Sequence, residues 1–177
     1  MFAGPVTFAN PAALNTTASF TGQGDFTLRL TADDGMSTVS DDLGFNNLDP
    51  FAQWQAAKFA GGSSHPESGP EDDPDTDGLD NLIEYALGTD PMISNPSPVI
   101  RGRTLFEEQT YFTLTITKNP SATDAVLTAV ASNGLDSGSW SSNGLIIESN
   151  TATELRVRDS QPMQATARRF FRVQVVR

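Results

Sequence analysis

The chain contains no cysteine, so no disulfide staples it and no thiolate is available as nucleophile or metal ligand. It has one histidine, His65, which leaves Ser/His and Cys/His nucleophile pairs almost without material. His65 lies in a Gly/Ser/Pro stretch and reads as a solvated loop residue. No apolar run approaches the roughly 20 residues a membrane-spanning helix needs, so no transmembrane segment is expected. The start Met1-Phe2-Ala3-Gly4-Pro5 has no basic segment followed by an apolar one. A secretion signal is therefore expected upstream in a longer parent chain, or the protein is not exported. Basic residues are also scarce, 11 Lys and Arg against 22 Asp and Glu for a net charge of -11, a balance that weighs against nucleic acid as a partner.

The shortage of positive charge is local. Between Lys58 and Arg101 there is no Lys or Arg, while Glu67, Glu71, Asp72, Asp73, Asp75, Asp77, Asp80, Glu84 and Asp90 fall inside that interval. Within it, Asp73, Asp75, Asp77, Gly78, Asn81 and Glu84 occupy positions 1, 3, 5, 6, 9 and 12 of a twelve-residue window, the spacing at which an EF-hand-type loop surrounds Ca²⁺ with oxygen. Alternate carboxylates converge on one point, glycine permits the sharp turn, and the terminal Glu can bind through both oxygens. The Leu79 carbonyl would be the ligand at position 7. An oxygen-only set suits a hard cation and disfavours zinc. Like charges this close repel, so order in the segment should be linked to the ion.

The flanks narrow this reading. Leu79, Leu82, Ile83, Ala86 and Leu87 recur at helical spacing, Gly88 sits where a C-terminal cap belongs, and Pro91 bars continuation. Upstream, Gly61, Gly62, Pro66, Gly69 and Pro70 exclude a continuous helix entering the loop. Position 8 is Asp80 rather than the apolar residue that pairs two loops, and there is one such loop in the chain. A structural ion is expected rather than a paired sensor. The run Pro50 to Phe59 reads as a short amphipathic helix with Asp49 as N-cap, its Phe51, Trp54 and Phe59 expected to pack on Leu82, Ile83 and Tyr85.

Both ends read as β. Phe26, Leu28 and Leu30 alternate with polar residues, Asp33-Asp34-Gly35 turns the chain before Thr38 to Leu43, and Val6 to Phe8 and Thr16 to Phe20 are shorter strands. These are too few to close a sandwich, so residues 1 to 45 are expected to leave sheet edges unpaired. In the C-terminal part, strands are expected at Phe112 to Ile116, Ala125 to Ser132, Leu145 to Glu148, Thr153 to Arg158 and Phe170 to Val176, with Ser141-Ser142-Asn143-Gly144 as a turn. About six or seven short strands there suggest an antiparallel β-sandwich. Nine of the 11 basic residues fall in this half and read as a solvated strand face. The expected organisation is mainly β: a partial immunoglobulin-like sheet at 1-46, a two-helix calcium-loop linker at 47-98 and a β-sandwich at 99-177.

Gly4-Pro5-Val6-Thr7-Phe8, Asn15 to Phe20, Gly24 to Gly35 and Ser40-Asp41-Asp42 together resemble the second half of a PKD-type immunoglobulin-like domain, lacking its first strands. Trp54 and Phe59, followed by Asp73-Pro74-Asp75-Thr76-Asp77-Gly78-Leu79-Asp80-Asn81-Leu82-Ile83-Glu84-Tyr85-Ala86-Leu87-Gly88-Thr89-Asp90-Pro91, resemble the calcium motif near the C-terminus of many large secreted bacterial proteins. That motif is similar to thrombospondin type 3 repeats and to one half of a dockerin. The resemblance implies Asp73, Asp75, Asp77, Asn81 and Glu84 as side-chain ligands. Dockerins carry two such segments and this chain carries one, so cohesin binding is not supported. Arg168-Arg169-Phe170-Phe171-Arg172-Val173 is similar to the closing strand of the β-domain that often follows the motif.

The expected function is a non-catalytic, calcium-stabilised module that links or displays other domains of a longer extracellular or cell-surface protein. The alternative is a glycan- or partner-binding module, with Trp140 and Tyr111 as stacking aromatics, or a C-terminal sorting domain for secretion. An enzyme is not expected: a carboxylate pair for glycoside hydrolysis is conceivable from composition, but the clustered acids already fit the loop. Asp124, Asp136 and Asp159 read as turn residues.

Overall fold

A computed structural model describes residues 5–165 and 168–177; Met1 to Gly4, on which the leader reading and the start of the PKD-like segment fall, lie outside the described residues. The fold is mainly β, built from antiparallel sheets. The chain divides into two units, residues 1–49 and 50–177.

In the first unit, β1 (Val6–Phe8) pairs with β2 (Ala18–Phe20), and β3 (Gly24–Asp33) pairs with β4 (Thr38–Asn47). The turn between the long strands is drawn shut by its aspartates: Asp33 Oδ1 accepts from the Gly35 N–H at 2.7 Å and Asp34 Oδ1 from Ser37 at 2.7 Å. Gly35 has φ 85°, a conformation a side chain would strain. Phe20, Phe26 and Phe45 pack ring to ring at 4.8–5.6 Å. Beyond that cluster Leu30, Val39 and Leu43 are exposed. Among the described residues these four strands form two separate two-stranded sheets, with the unpaired edges that were expected.

The second unit opens with α1 (Pro50–Lys58) and α2 (Asn81–Leu87), joined by a long loop with one short 3₁₀ turn at Gly62–Ser64. Six strands follow: β5 (Val99–Phe106), β6 (Gln109–Thr117), β7 (Val126–Ser132), β8 (Leu145–Asn150), β9 (Glu154–Pro162) and β10 (Phe170–Val176). They form a four-stranded sheet in the order β5-β6-β9-β8 and a two-stranded sheet of β10 and β7. Alternate residues of both sheets meet in one core, with Leu114, Ile116, Leu155 and Val157 from the first and Leu127 and Ala129 from the second. That arrangement is consistent with a β-sandwich. Strand β5 carries no alternation strong enough to have been anticipated, and its hairpin turn is Glu107-Glu108.

Helix α2 belongs to this core. Ala86 and Leu87 are buried in it and Ile83 packs against it, while Tyr85 turns the other way, edge-on to Phe51 and Trp54 at 5.2 and 5.8 Å. The expected packing of α1 on α2 therefore runs through Tyr85, and Ile83 serves the β-core instead. The helix starts two residues later than its apolar spacing suggests. Its C-terminus is capped as expected by Gly88, at φ 81°, donating to the Glu84 carbonyl at 2.7 Å. Asn119 then fastens the helix to the strands, its backbone N–H on the Ala86 carbonyl and its Nδ2 on the Tyr85 carbonyl, both at 2.9 Å. No helix among the described residues is long and apolar enough to cross a membrane.

Two single-residue expectations are revised, for Asp159 and His65, and that for Asp124 is extended. Asp159 is not a turn residue: it lies in β9, 3 % exposed, and takes a two-pronged ion pair from Arg169 at 3.0 Å. Asp124 does sit in a turn, but its carboxylate accepts from the Tyr85 hydroxyl and from Arg177, each at 2.5 Å, tying α2 to the end of β10. Burial would raise the Asp124 carboxyl, and these two partners outweigh it and hold it below the usual range. His65 is half-buried, its ring 5.3 Å from that of Phe59 and its Nδ1 accepting from the Glu67 N–H.

Candidate metal centre

The loop from Asp73 to Glu84 is held from both ends. The first backbone donors of α2 find acceptors upstream, Asn81 N–H on the Asp72 carbonyl at 2.8 Å and Leu82 N–H on the Pro70 carbonyl at 3.0 Å. These bonds do the work of an N-cap, and Asp80, in the capping position, makes no side-chain capping bond. Residues 67–72 are thereby wrapped around the start of the helix. Gln55 of α1 secures the same segment, donating Nε2 to the Ser68 carbonyl at 2.6 Å in a buried bond.

Inside the loop, Asx-type bonds shape the turns. Asp75 Oδ1 accepts from Asp77 N–H at 3.1 Å, Asp73 Oδ2 from Gly78 N–H at 3.0 Å, and Asp77 Oδ1 from Leu79 N–H at 2.9 Å. Gly78 has φ 92° and Thr76 has φ 60°. The glycine meets this at little cost, and the β-branched threonine is strained by it.

One carboxylate oxygen from each of Asp73, Asp75 and Asp77 lies within 4.8 Å of the others. Ligands that share a Ca²⁺ at 2.3–2.6 Å can stand no more than roughly 5 Å apart, so the three satisfy that limit. Asn81 and Glu84 are completely buried. Four side-chain oxygens in this loop are buried without a hydrogen-bond partner: Asp73 Oδ1, Asp75 Oδ2, Asn81 Oδ1 and Glu84 Oε2.

For each of these four residues, the rest of the polar group is anchored. Asn81 Nδ2 donates to the Glu67 and Gly69 carbonyls at 2.9 and 2.7 Å, which fixes the amide with its oxygen on the other side. Glu84 Oε1 accepts from the Thr89 hydroxyl at 3.0 Å. Asp77 uses its second oxygen to accept from the Asn95 N–H at 3.0 Å, joining the loop to the segment before β5. Leu79 lines a groove against the β-strands.

The electrostatic state follows from the crowding. Burial first, and then the charges of Asp75, Asp77 and Asp73, push the Glu84 carboxyl from 4.5 up to about 7. Asp75 is also raised, by burial and by Asp77 and Asp73. An unpartnered buried carboxylate costs several kcal/mol, and a cation at the centre would supply the missing partner. The donors are carboxylate and amide oxygens, which fits Ca²⁺ and not a soft metal.

Of the six anticipated ligand residues, Asp73, Asp75 and Asp77 bring one oxygen each within 4.8 Å of one another, a group that does not include Glu84; Asn81 and Glu84 each keep one buried oxygen without a partner, and Leu79 lies in the same loop. Sequence spacing did not reveal Thr89, Asn95 or the Glu67 and Gly69 carbonyls, because their roles depend on the path of the chain around the loop. The two anticipated stacking aromatics stand elsewhere. Arg172 covers the Trp140 ring at 4.6 Å and Arg158 covers Tyr111 at 4.6 Å, so each offers at most one free face. Compared with known protein families, curated proteins and solved structures, the chain matches none.

Proposed function

We propose that Asp73 to Glu84 binds Ca²⁺ through Asp73, Asp75, Asp77, Asn81, Glu84 and the Leu79 carbonyl, and that the chain is a non-catalytic, calcium-stabilised module of a larger extracellular protein. The observation that carries the reading is the set of four buried oxygens without partners, all from ligand positions of one loop. The ion would hold α2, whose Tyr85 packs on α1 and whose Ala86 and Leu87 enter the β-core. Removing it would leave like charges facing one another at the joint between helices and strands. At free calcium about 100 times the dissociation constant, binding would add roughly 2.7 kcal/mol. Calorimetric titration and thermal melting, in calcium and then in chelator, test the proposal. A raised melting temperature in calcium, abolished by Glu84→Gln, is expected; identical melts in both conditions would refute it.

A further inference from the structure

The strand arrangement of the second unit leaves a gap beside the loop. In the four-stranded sheet β5 is an edge, and in the small sheet β7 is covered on its outer side by Ser141, which exchanges backbone bonds with Ala131 at 2.9 and 3.1 Å. The other edge, β10, makes no backbone hydrogen bond on its outer side among the described residues. Between the two free edges lies a groove of about 500 Å³, floored by Leu79, Ile83, Phe112, Leu114, Phe171 and Val173.

The groove has one sign of charge. Arg101, Arg169 and Arg172 line it and no acidic residue does, although the whole chain carries -11. Arg169 is neutralised by Asp159, and Arg172 lies over Trp140 without an ion pair among the described residues. Arg101 is exposed and likewise has no ion pair among the described residues. It faces the interior side of β5, since its cross-strand neighbour is the buried Leu114.

We infer that this groove receives an extended segment of a partner polypeptide, alternating apolar residues with Asp or Glu, as an added strand on β10. A strand laid about 4.8 Å from β10 would use its unpaired backbone groups. Alternate apolar side chains would cover Leu79, Ile83 and Phe112, and the intervening acids, on the opposite face of the added strand, would meet Arg172. Inward-facing charge on an edge strand also serves to deter pairing. That role predicts no preference for an acidic strand, so the two accounts separate by experiment. The inference rests on the loop filled with calcium as proposed, whose Gly78 and Leu79 line the groove.

The test uses the full chain in calcium and a capped seven-residue peptide alternating Val and Glu, matching the seven residues of β10. Binding is followed by NMR, with hydrogen exchange of the β10 amides. Saturable binding that slows exchange along β10 is expected, at least tenfold weaker for the Val/Lys peptide and for Arg172→Glu, with Arg172→Glu gaining affinity for Val/Lys. Unaltered far-UV circular dichroism and melting show that the variant folds, and the wild-type comparison of the two peptides stands without it. No binding, or equal binding of Val/Glu and Val/Lys, would overturn the inference. Full binding by a Val/Glu peptide N-methylated on its β10-facing amides would do so too, since it would indicate a side-chain pocket. Dimerisation through β10 in sedimentation would assign the edge to a second copy instead.

Discussion

Glu84 sets the energetic sign of the loop. Its folded carboxyl, near 7 without an ion, stands above the ordinary 4.5, so the ion-free fold favours the protonated form. That contribution is fully present below about pH 4.5 and is lost as pH rises through 7. With calcium bound as proposed the dependence would reverse, because the ion needs the ionised carboxylate and protons compete with it as pH falls below 7. Melting in chelator from pH 5 to 8 should therefore show a falling midpoint, and the calcium-induced rise should grow over the same range. Glu84→Gln should flatten both curves. The neighbouring Thr89 is a cleaner probe of orientation. Thr89→Val removes the hydroxyl that holds Glu84 Oε1 at 3.0 Å and keeps the side-chain shape. Loss of one hydrogen bond to a carboxylate is worth about 1.5–3 kcal/mol, so titration calorimetry should show calcium affinity reduced by roughly tenfold or more.

Among the elements, the hairpin of β5 and β6 shows why part of the fold was hidden. Its two-residue turn has φ 46° at Glu107 and 62° at Glu108, the left-handed pair that a primed turn needs and that Asn-Gly usually supplies. Two adjacent glutamates give no such signal, and β5 went unseen with its turn. In β6 and β10 the alternation was legible because one face is buried, with Leu114 and Ile116 inward in β6 and Phe171, Val173 and Val175 against the core in β10. The acidic loop stood out because the metal geometry proposed for it ties residue type to position within twelve residues. Its supports did not, because Asn95 lies 18 residues from Asp77. Replacing Glu107-Glu108 by Asn-Gly should relieve left-handed strain of about 1–2 kcal/mol per residue and the repulsion of like charges. Urea unfolding should show a higher midpoint at unchanged slope; an unchanged or lower midpoint would mean the turn is not strained.

For the whole molecule, burial divides unevenly between the two units. Phe26 is the one buried hydrophobic residue among those described in the first, whereas the second contains a continuous core reaching from α2 through both sheets. Charge divides as well. Residues 1–49 hold six aspartates against Arg29, the stretch from 50 to 98 holds nine acids against Lys58, and residues 99–177 hold nine basic against seven acidic side chains. Those arginines pair chiefly within the β-region, Arg156 and Arg158 with Glu148, Arg169 with Asp159 and Arg177 with Asp124. The acidic loop therefore receives little neutralisation from them and is left for an external cation. If the loop binds calcium as proposed, residues 50–177 contain what calcium-linked folding requires. Expressed alone, they should melt in one cooperative transition and show the same calcium-induced shift as the full chain. A hairpin with one small aromatic cluster is marginal by itself, so residues 1–49 alone should give no cooperative melt. A fragment 50–177 that lost its calcium response would place the source of that response in the first unit and contradict the loop assignment.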